Sequence, residues 1–467
     1  MALSYVSTRG EAPALGFTDV LLVGLAVDGG LYCPEEIPSL PELDPAMPYA
    51  ELAKRVMWPY VEGTISQPIF NRMVDEAYIP FRSRDVCPLI ELGDDQYLLD
   101  LSKGPTLAFK DIALQLVGRL LDHELNLRGE RAMVLAATSG DTGSAAIEAL
   151  ANRANVDAAI LHPLGRVSDV QRRQMTTVDA ANIVNIAVSG HFDDCQDLVK
   201  AAFNDPEVRS ELRLAAVNSI NWGRVMAQIV YYVSASLRIN EGTDPISFCV
   251  PTGNFGNVLA GWYAKQMGVP IDRLIAASNQ NDVLTRYFES GSLEAHDVVP
   301  SLSPSMDIQV SSNFERILWE ASGRNGRAVD AVLSSFRSDG RVTVPDDWNE
   351  KLRLDFDSGR ITDAETLDEI ALVHERLGLM IDPHTAVGTK VARDHATSGV
   401  PMVTLATADA AKFPDAVEAA TGVRPALPDF LAELFERKEH YVEAGNDLGE
   451  ILAEVRVLSA TSGRRNR

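Results

Sequence analysis

Lys110 is the residue of this sequence best placed to supply an amine for covalent chemistry. It lies in the segment Leu107–Ile112 (LAFKDI), in a stretch with apolar residues at helical spacing, at positions 109, 112, 116, 117, 120, 121 and 125. A lysine near that apolar stripe and the Gly104-Pro105 turn loses part of its hydration, which favours the neutral amine that imine formation needs. By itself, the segment fits a surface lysine with its charge in water at least equally well.

Two small-residue loops follow apolar β-type runs and have the composition of anion-binding loops. The run 132–137 ends at residues 138–143 (TSGDTG), and the run 246–250 ends at residues 251–257 (PTGNFGN). Successive backbone N–H groups at the start of a helix form a concave site for a phosphate or a carboxylate. Each loop alone is also an ordinary strand-to-helix turn. Two such loops together with an amine are what a phosphorylated aldehyde cofactor needs.

Arg224 lies in the polar segment 218–224 (NSINWGR), just before the apolar run 225–233. In an acidic chain, an arginine beside Ser and Asn donors is a reasonable clamp for an anion. An ordinary ion pair is nevertheless the commoner role for such a residue. His384, in the segment Asp382-Pro383-His384, fits a hydrogen-bonded histidine at a helix start better than it fits a catalytic base.

The elements that must position these residues alternate between β-type runs and helical periods. From about residue 95 onward this alternation is typical of an α/β fold with a parallel sheet. A third run, 402–406, stops at Thr407, and because such strand ends face the ligand crevice, the three loops are expected to converge there. Residues 290–345 are rich in Ser, Pro and Asp, which predicts an inserted or looped region. Residues 362–365 (TDAE) predict a capping box at a helix start.

The composition argues against several classes of partner. The formal net charge of −24 disfavours nucleic acids and anionic membranes, since a phosphate backbone attracts clustered Lys and Arg. No signal peptide or membrane-length apolar run is found, so a cytoplasmic location is the default. P-loop, HExxH and GxSxG motifs are absent. Neither a disulfide framework nor a metal site is expected, because no CxxC pair or metal-ligand spacing occurs among the four cysteines, Cys33, Cys87, Cys195 and Cys249.

The motifs together resemble, over nearly the whole chain, the threonine synthase family of fold-type II pyridoxal-phosphate enzymes in its longer bacterial and fungal form. Residues 5–10 (YVSTRG) and 24–32 (GLAVDGGLY) are similar to the N-terminal signature of that family, which fold-type II enzymes in general do not share. Residues 104–111 (GPTLAFKD) are similar to its cofactor-lysine motif.

The resemblance implies an α/β fold like that of the tryptophan synthase β subunit, with parallel-sheet subdomains and an N-terminal lead-in subdomain. The expected parts are residues 1–95 as the N-terminal subdomain, 96–240 as the subdomain of the cofactor lysine and substrate loop, 241–430 as the cofactor-phosphate subdomain, and 431–467 as a C-terminal helical extension and tail.

The resemblance also implies pyridoxal 5′-phosphate (PLP), held as a Schiff base on Lys110, and no metal. Besides Lys110, the residues implied to bind the cofactor are Phe109, Asp141, Gly253, Asn254, Phe255, Gly256, Asn257 and Thr407. Thr407 matches a hydroxyl residue that faces the pyridine nitrogen. The residues implied to bind the substrate are Thr106, Ser139, Gly140, Thr142, Ser219, Asn221 and Arg224. The last three match a segment that grips the substrate phosphate.

The implied reaction converts O-phospho-L-homoserine and water into L-threonine and phosphate by γ-elimination and β-addition, the last step of threonine biosynthesis. Lys110 would anchor the cofactor and then act as acid and base. The implied partner is therefore a small-molecule substrate, with no nucleic acid or membrane, and the chain is expected to be a monomer or homodimer.

One segment departs from the family pattern, which usually reads TAHPAKF where residues 407–413 read TADAAKF. The missing imidazole at Asp409 leaves open any duty that the family gives to it. Two alternatives also remain. Another fold-type II enzyme, such as an amino-acid dehydratase or a different phospho-lyase, would share Lys110 and both loops but not the N-terminal signature. A binding protein without turnover would keep the fold, but the intact Lys110 argues against it.

Overall fold

The computed structural model describes residues 2–465, which form 18 α-helices and 15 strands within that range. The first half contains β1 (Tyr5–Ser7), α1 (Phe17–Val23), β2 (Tyr32–Pro34), α2 (Tyr49–Val61), α3 (Gln67–Tyr78), β3 (Leu89–Gly93), β4 (Gln96–Asp100), α4 (Lys110–Arg128), β5 (Ala132–Ala137), α5 (Asp141–Leu150), β6 (Val156–Pro163), α6 (Asp169–Thr176), β7 (Ile183–Val188), α7 (Phe192–Asn204), α8 (Pro206–Leu212), β8 (Leu214–Ala215), α9 (Trp222–Asn240) and β9 (Ile246–Pro251).

The second half contains α10 (Gly256–Met267), β10 (Ile271–Ser278), α11 (Val283–Ser290), β11 (Ser292–Glu294), α12 (Phe314–Ala321), α13 (Gly326–Asp339), β12 (Arg341–Thr343), α14 (Asp346–Leu352), β13 (Phe356–Arg360), α15 (Asp363–Leu377), α16 (Pro383–His395), β14 (Met402–Ala406), α17 (Pro414–Thr421), β15 (Val442–Ala444) and α18 (Leu448–Arg465). Short 3-10 helices lie at Pro304–Met306, Ala410–Lys412 and Asp429–Leu431.

The larger sheet has six strands in the order β13-β10-β9-β14-β4-β3, and only the β3–β4 hairpin is antiparallel. Alternate side chains of the central strands pack on opposite faces, so that Phe248 and Val250 join one core and Cys249 joins another with α16. Because helices cover both faces, β9 and β14 are buried along their whole length. The carboxyl ends of these two neighbours therefore open at one edge of the sheet.

The smaller sheet has five parallel strands in the order β15-β7-β6-β5-β8. Val134 of β5 faces the main core with α4 and α5, whereas Met133 and Leu135 face a second core with α7 and α18. The predicted α/β class with parallel sheets is confirmed. The four-part division of the chain stays a prediction, and sheet membership crosses its boundaries, since β4 joins the larger sheet and β15 joins the smaller one.

The N-terminal elements pack on the start of α9. Tyr5 and Tyr60 lie with ring centroids 5.9 and 5.7 Å from that of Trp222, the first residue of α9, and the Tyr5 hydroxyl donates to the Tyr60 carbonyl at 2.8 Å. All three side chains are buried. The N-terminal signature thus supports, by aromatic packing, the segment that contains Arg224.

Two sequence expectations differ from the structure. Within residues 290–345, expected to be a looped region, α12 and α13 are regular helices, because Phe314, Ile317 and Leu318 supply a buried helical stripe. The polar and basic composition of residues 462–467 predicts a frayed tail, but α18 is helical as far as Arg465, and residues 466–467 lie outside the described range. No helix in residues 2–465 is both long and apolar enough to cross a bilayer.

Candidate active site

Lys110 is the first residue of α4 and is buried, with 7% of its surface exposed. The alternative of a surface lysine is therefore excluded by the packing. The Nζ atom lies 3.1 Å from Oδ2 of Asp141 and 4.9 Å from the ring centroid of Phe109. Burial lowers the pKa of the Lys110 amine, although Asp141 acts in the opposite direction. The amine is thus shifted toward the neutral form that attacks a carbonyl carbon.

A tight turn before α4 aims Lys110 inward. The backbone N–H and the hydroxyl of Thr106 donate to the two carboxylate oxygens of Asp111 at 2.8 and 2.7 Å. A Cβ atom on Gly104 would lie 2.4 Å from the Asp111 side chain, so glycine is needed at this approach. Leu107, the residue after Thr106, has a positive φ of 64°. The Thr106 side chain is thus part of the turn that fixes the lysine.

Asp141 lies at the centre of a buried cluster of polar side chains formed by Lys110, Gln171, Ser305 and Lys412. Besides Lys110, its carboxylate contacts Nζ of Lys412 at 2.8 Å and accepts from Nε2 of Gln171 at 2.8 Å and from the Ser305 hydroxyl at 3.3 Å. Burial would raise the pKa of this carboxyl, but Lys110, Lys412 and His384 hold it well below its ordinary value. Asp141 is therefore an anion contacted by side chains from several elements.

The loop after β5 leads into α5 and carries Ser139, Gly140 and Thr142 beside Asp141. The Thr138 hydroxyl accepts from the backbone N–H of Gly140 at 2.9 Å and of Gly143 at 2.8 Å. Gly140 has φ 134° and ψ −71°, a conformation open to glycine. The side chains of Ser139 and Thr142 are half-buried on the loop. Their positions at the start of α5, next to the amine, suit recognition of a carboxylate.

The loop after β9 runs from Gly253 to Asn257 and leads into α10. Phe255 has a positive φ of 61°, a conformation that non-glycine residues adopt only where the surroundings hold them. A Cβ atom on Gly253 would lie 2.8 Å from the carbonyl oxygen of Ser305, so only glycine allows this contact. Asn254 accepts from the Ser312 hydroxyl at 2.9 Å, and Gly256 is the first residue of α10. Contacts within the chain thus hold the loop in this conformation.

Asn257 offers a free donor at that helix start. Its Oδ1 atom accepts from the hydroxyls of Tyr231 and Tyr232, while its buried Nδ2 atom has no hydrogen-bond partner within residues 2–465. A buried amide N–H without a partner is costly. A phosphate at the loop would supply the missing acceptor.

Removal of both tyrosine hydroxyls (Tyr231→Phe with Tyr232→Phe) is expected to weaken PLP binding about tenfold, because one oriented hydrogen bond contributes about 1.4 kcal/mol. A fluorescence titration of the cofactor-free protein measures this affinity. Tyr78→Phe, which removes a buried hydroxyl on α3 with no partner in the described range, is the control. Equal affinities in the two variants would contradict a role for Asn257 in anchoring the phosphate.

Arg224 is buried, with 3% of its surface exposed, and has no carboxylate within salt-bridge distance in the described part of the chain. Its Nη1 atom donates to the Val217 carbonyl at 3.2 Å, and its Nε atom has no partner there. Burial lowers the pKa of the guanidinium to about 10. Its charge also contributes to lowering the pKa of Lys110, which places both cations in one electrostatic environment. An unpaired buried cation is typical of a site that receives an anion.

Ser219 and Asn221 lie at the N-terminal end of α9 and have different surroundings. Asn221 is fully buried, its Oδ1 atom caps the helix by accepting from Gly223 N–H, and its Nδ2 atom donates to the carbonyls of Leu21 and Ala216. Both polar atoms of the Asn221 side chain are therefore used in hydrogen bonds within the protein. The Ser219 carbonyl accepts from Nδ2 of Asn313 at 3.1 Å.

Thr407 is joined to the lysine segment through the backbone. Its carbonyl accepts from the Phe109 N–H at 2.9 Å, and the Asp409 N–H donates to the Leu107 carbonyl at 3.0 Å. The Asp409 side chain, which stands where the family pattern has His, accepts from the Ala411 N–H at 3.0 Å and caps the 3-10 turn that carries Lys412. The three strand ends therefore converge around Lys110, as the sequence predicts.

Several site residues were not predicted from the sequence. Asn313 bridges two predicted segments, because its Nδ2 atom donates to the carbonyls of both Ser219 and Asn254. Ser305 contacts Lys110 and Asp141 by its hydroxyl, and its N–H donates to Nε2 of His384 at 3.2 Å. His384 in turn contacts Asp382 through Nδ1 at 2.7 Å, which confirms the hydrogen bonding expected for it at a helix start. The serine-rich segment before α12 is thus part of the site.

The residues present fit PLP. Lys110 supplies a buried amine for the aldehyde, and the loop 253–257 supplies a helix start and the orphaned Asn257 amide for the phosphate. No cluster of three or more potential metal-ligating His, Cys, Asp or Glu side chains occurs in the described residues.

Family models match most of the chain. The model "Threonine synthase N terminus" matches residues 4–78, "Pyridoxal-phosphate dependent enzyme" matches residues 88–335, and "Threonine synthase, C-terminal" matches residues 385–455. The second of these contains Lys110 and both glycine loops, and the third contains Thr407 and Lys412.

Similar proteins agree in sequence and in structure. Threonine synthase of Pseudomonas aeruginosa is 52% identical over 460 residues, covering 97% of this chain and 98% of the relative. The crystal structure of PLP-bound threonine synthase from Brucella melitensis is similar with a TM-score of 0.95 at 49% identity, covering 98% of this chain and 100% of that one. Threonine synthase from Escherichia coli gives a TM-score of 0.81 at 29% identity, covering 98% and 99% of the two chains. The chain therefore belongs to the threonine synthase family of pyridoxal-phosphate-dependent enzymes.

Proposed function

We propose that this chain catalyses the conversion of O-phospho-L-homoserine and water into L-threonine and inorganic phosphate, the last step of threonine biosynthesis. The observation that carries this proposal is the unpaired guanidinium of Arg224, buried in the same electrostatic environment as Lys110. PLP chemistry needs the lysine and the loop at 253–257. The second buried cation is what a substrate with its own phosphate group needs.

PLP would be held by Lys110 through its aldehyde and by the loop 253–257 with Asn257 through its phosphate. When bound, the cofactor supplies a conjugated ring that takes up the negative charge left when a proton departs from a carbon of the substrate. Thr407 is proposed to face the ring nitrogen, where a neutral hydroxyl need not keep that nitrogen protonated. Phe109 and Asp141 would border the cofactor beside Lys110.

Lys110 would carry out the proton transfers of the reaction. With substrate bound, the Lys110 amine would take a proton from the α carbon and move protons at the β and γ carbons. The burial of Lys110 would keep bulk water from competing for these protons. Asp141 and the Ser305 hydroxyl hold Nζ in place from one side.

The substrate would be gripped at both ends. Ser139, Gly140 and Thr142 would bind its carboxylate through the start of α5. Arg224 would bind its phosphate and stabilise the charge that grows on the leaving group, with Ser219 beside it. Since the Asn221 side chain caps α9 and the Thr106 side chain binds Asp111, we propose that these two residues position Arg224 and Lys110 and do not touch the substrate.

The test is phosphate release and threonine formation from O-phospho-L-homoserine by the PLP-loaded protein, with O-phospho-L-serine and L-threonine as comparison substrates. We expect turnover of O-phospho-L-homoserine and at most trace turnover of the other two. The loaded protein should also show a visible imine band, and borohydride should fix the cofactor on Lys110. Faster consumption of either comparison substrate would replace this proposal by a phospho-lyase or a dehydratase.

We further propose that the chain acts in the cytoplasm as a monomer or homodimer, on a small-molecule substrate. Its net charge of −24 supports the absence of a nucleic-acid partner. Sedimentation at several protein concentrations measures the oligomeric state.

A further inference from the structure

Two lysines, Lys110 and Lys412, contact the same buried carboxylate. Lys412 has 0% of its surface exposed, and its Nζ atom lies 2.8 Å from Oδ1 of Asp141 and donates to the Thr106 carbonyl at 2.7 Å. Nζ of Lys110 lies 3.1 Å from the other oxygen of Asp141 and 3.5 Å from the Ser305 hydroxyl. Each amine thus has two acceptors, and Lys412 has the shorter contacts.

The backbone that carries Lys412 is held by contacts from several elements. The Ser168 hydroxyl, at the start of α6, donates to the Lys412 carbonyl at 3.0 Å, and Asp409 caps the 3-10 turn that ends at Lys412. On the next residue, the ring of Phe413 packs 4.9 Å from that of His384. These contacts place the Lys412 side chain where its Nζ atom reaches both Asp141 and the Thr106 carbonyl.

The charges around Lys110 do not balance if both lysines are protonated. The charged groups that act on Lys110 are Asp141 from α5, Lys412 from the turn after β14 and Arg224 from α9. The His384–Asp382 pair is hydrogen-bonded to Ser305 through the His384 ring. Asp111 is the next residue of α4. The Asp111 carboxylate is hydrogen-bonded to Thr106, and the Asp382 carboxylate to His384 and Thr385. Within the described residues, Asp141 is therefore the carboxylate in direct contact with the two lysines, and it cannot pair fully with both in a buried site, where an unpaired charge is costly. Asp141 lies closer to Lys412 than to Lys110, so Lys412 is the better placed of the two lysines to be its counter-ion.

We propose that Lys412 is a positioning residue that acts as the permanent counter-ion of Asp141, so that Lys110 is left as a neutral amine able to capture the cofactor aldehyde. The inference rests on the proposed function, since it takes Lys110 as the cofactor lysine. Burial and the charges of Lys412 and Arg224 all lower the pKa of Lys110, and Asp141 raises it. Without the Lys412 charge, Lys110 is the lysine that remains in contact with Asp141, so the pKa of Lys110 is expected to rise.

The test follows aldehyde capture by the cofactor-free full-length chain, with PLP as the probe. Initial rates are measured between pH 6 and 10, followed by borohydride reduction and mass spectrometry of the Lys110 peptide. Lys412→Met is expected to move the pH midpoint of capture upward by about 1–3 units, the usual effect of losing a balancing charge. Below the midpoints, each unit makes capture about tenfold slower at a given pH. Lys412→Gln, which keeps a donor for the Thr106 carbonyl, should shift the midpoint in the same direction.

A double variant separates the charge effect from a packing effect. In Lys412→Met with Asp141→Asn, both charges are gone, and the midpoint is expected to return to the wild-type value or below it. A packing defect would leave the double variant at least as slow as Lys412→Met. Lys412→Arg, which keeps the charge, should keep the wild-type midpoint if its circular dichroism is unchanged.

The outcomes distinguish the two levels of the argument. If the wild-type protein yields no borohydride-fixed adduct on Lys110, the proposed function fails. If the wild type is labelled on Lys110 but folded Lys412→Gln keeps the wild-type midpoint, the role of Lys412 is overturned while the proposed function stands. Should Lys412→Met not fold, Lys412→Gln and its combination with Asp141→Asn decide the question in the same way.

Discussion

Replacement of Lys110 by alanine is expected to abolish the imine band and to reduce threonine formation by at least about 10⁴-fold, because one side chain supplies both the cofactor anchor and the proton transfers. The Lys110 amine is buried beside Asp141, at the start of α4. Rapid-quench assays of phosphate release at saturating PLP measure the loss.

Two controls accompany this variant. Lys110→Arg keeps a positive charge beside Asp141 but cannot form the imine, so it should be as inactive as the alanine variant. Lys103→Ala removes a lysine from the preceding turn, which pairs with Asp100 at 2.5 Å, and should leave the band and the activity intact. Residual activity of Lys110→Ala together with a borohydride-fixed adduct on Lys412 would move the anchor to that lysine and contradict the prediction.

Replacement of Arg224 by methionine is expected to have opposite effects on activity and stability. Activity on O-phospho-L-homoserine should fall about 10²–10³-fold, the usual cost of losing a charge-stabilising donor. The free energy of unfolding of the ligand-free protein should rise by about 1–3 kcal/mol, because a buried cation without a carboxylate partner is removed. The imine band on Lys110 should persist.

The pH dependence of this stabilisation follows from the pKa of Arg224, which burial lowers from 12.5 to about 10. A base with a lowered pKa in the folded state destabilises that state at every pH where it is charged, here below about 10. The stability gain of Arg224→Met should therefore be constant between pH 6 and 9 and shrink only above pH 10. Denaturant titrations at several pH values measure it.

Inorganic phosphate gives an independent readout of the same site. It should raise the unfolding temperature of the wild-type protein and have less effect on Arg224→Met, since binding to the folded state stabilises it. Arg119→Met is the control, because Arg119 also has its pKa lowered to about 10 by burial but has Glu76 at 3.8 Å. An equal response to phosphate in both variants would contradict a phosphate site at Arg224.

Local signals in the sequence predict the parts of the site that local structure builds. The apolar spacing after Lys110 predicts α4, and the two glycine loops lie where β5 and β9 end. Residues 362–365 form the expected capping box, in which the Thr362 N–H donates to the Glu365 carboxylate at 2.8 Å. Short-range patterns are reliable here because each element is determined by its own residues.

Long-range partners could not be predicted in the same way. Lys412 reaches Asp141 across 271 positions, and Asn313 joins loops that lie 94 and 59 positions away from it. A usable signal for Lys412 was its place a few residues beyond the strand end at Thr407, among Ala410, Ala411 and Phe413. The segment before α12 carried no such signal, because its serines and prolines are typical of an ordinary loop.

The order of strands in the larger sheet has a consequence for biogenesis. Strand β14 (Met402–Ala406) lies between β9 and β4 (Gln96–Asp100). The ribosome must therefore add some 300 residues after β4 before the parallel neighbour of β4 has been synthesised. Until then β9 and β4 both present an unpaired edge, which is prone to wrong association. Thr407, which follows β14, accepts from the Phe109 N–H beside Lys110, so this contact of the lysine segment forms only after the strand has been made. We therefore expect cofactor capture to be a late event in maturation.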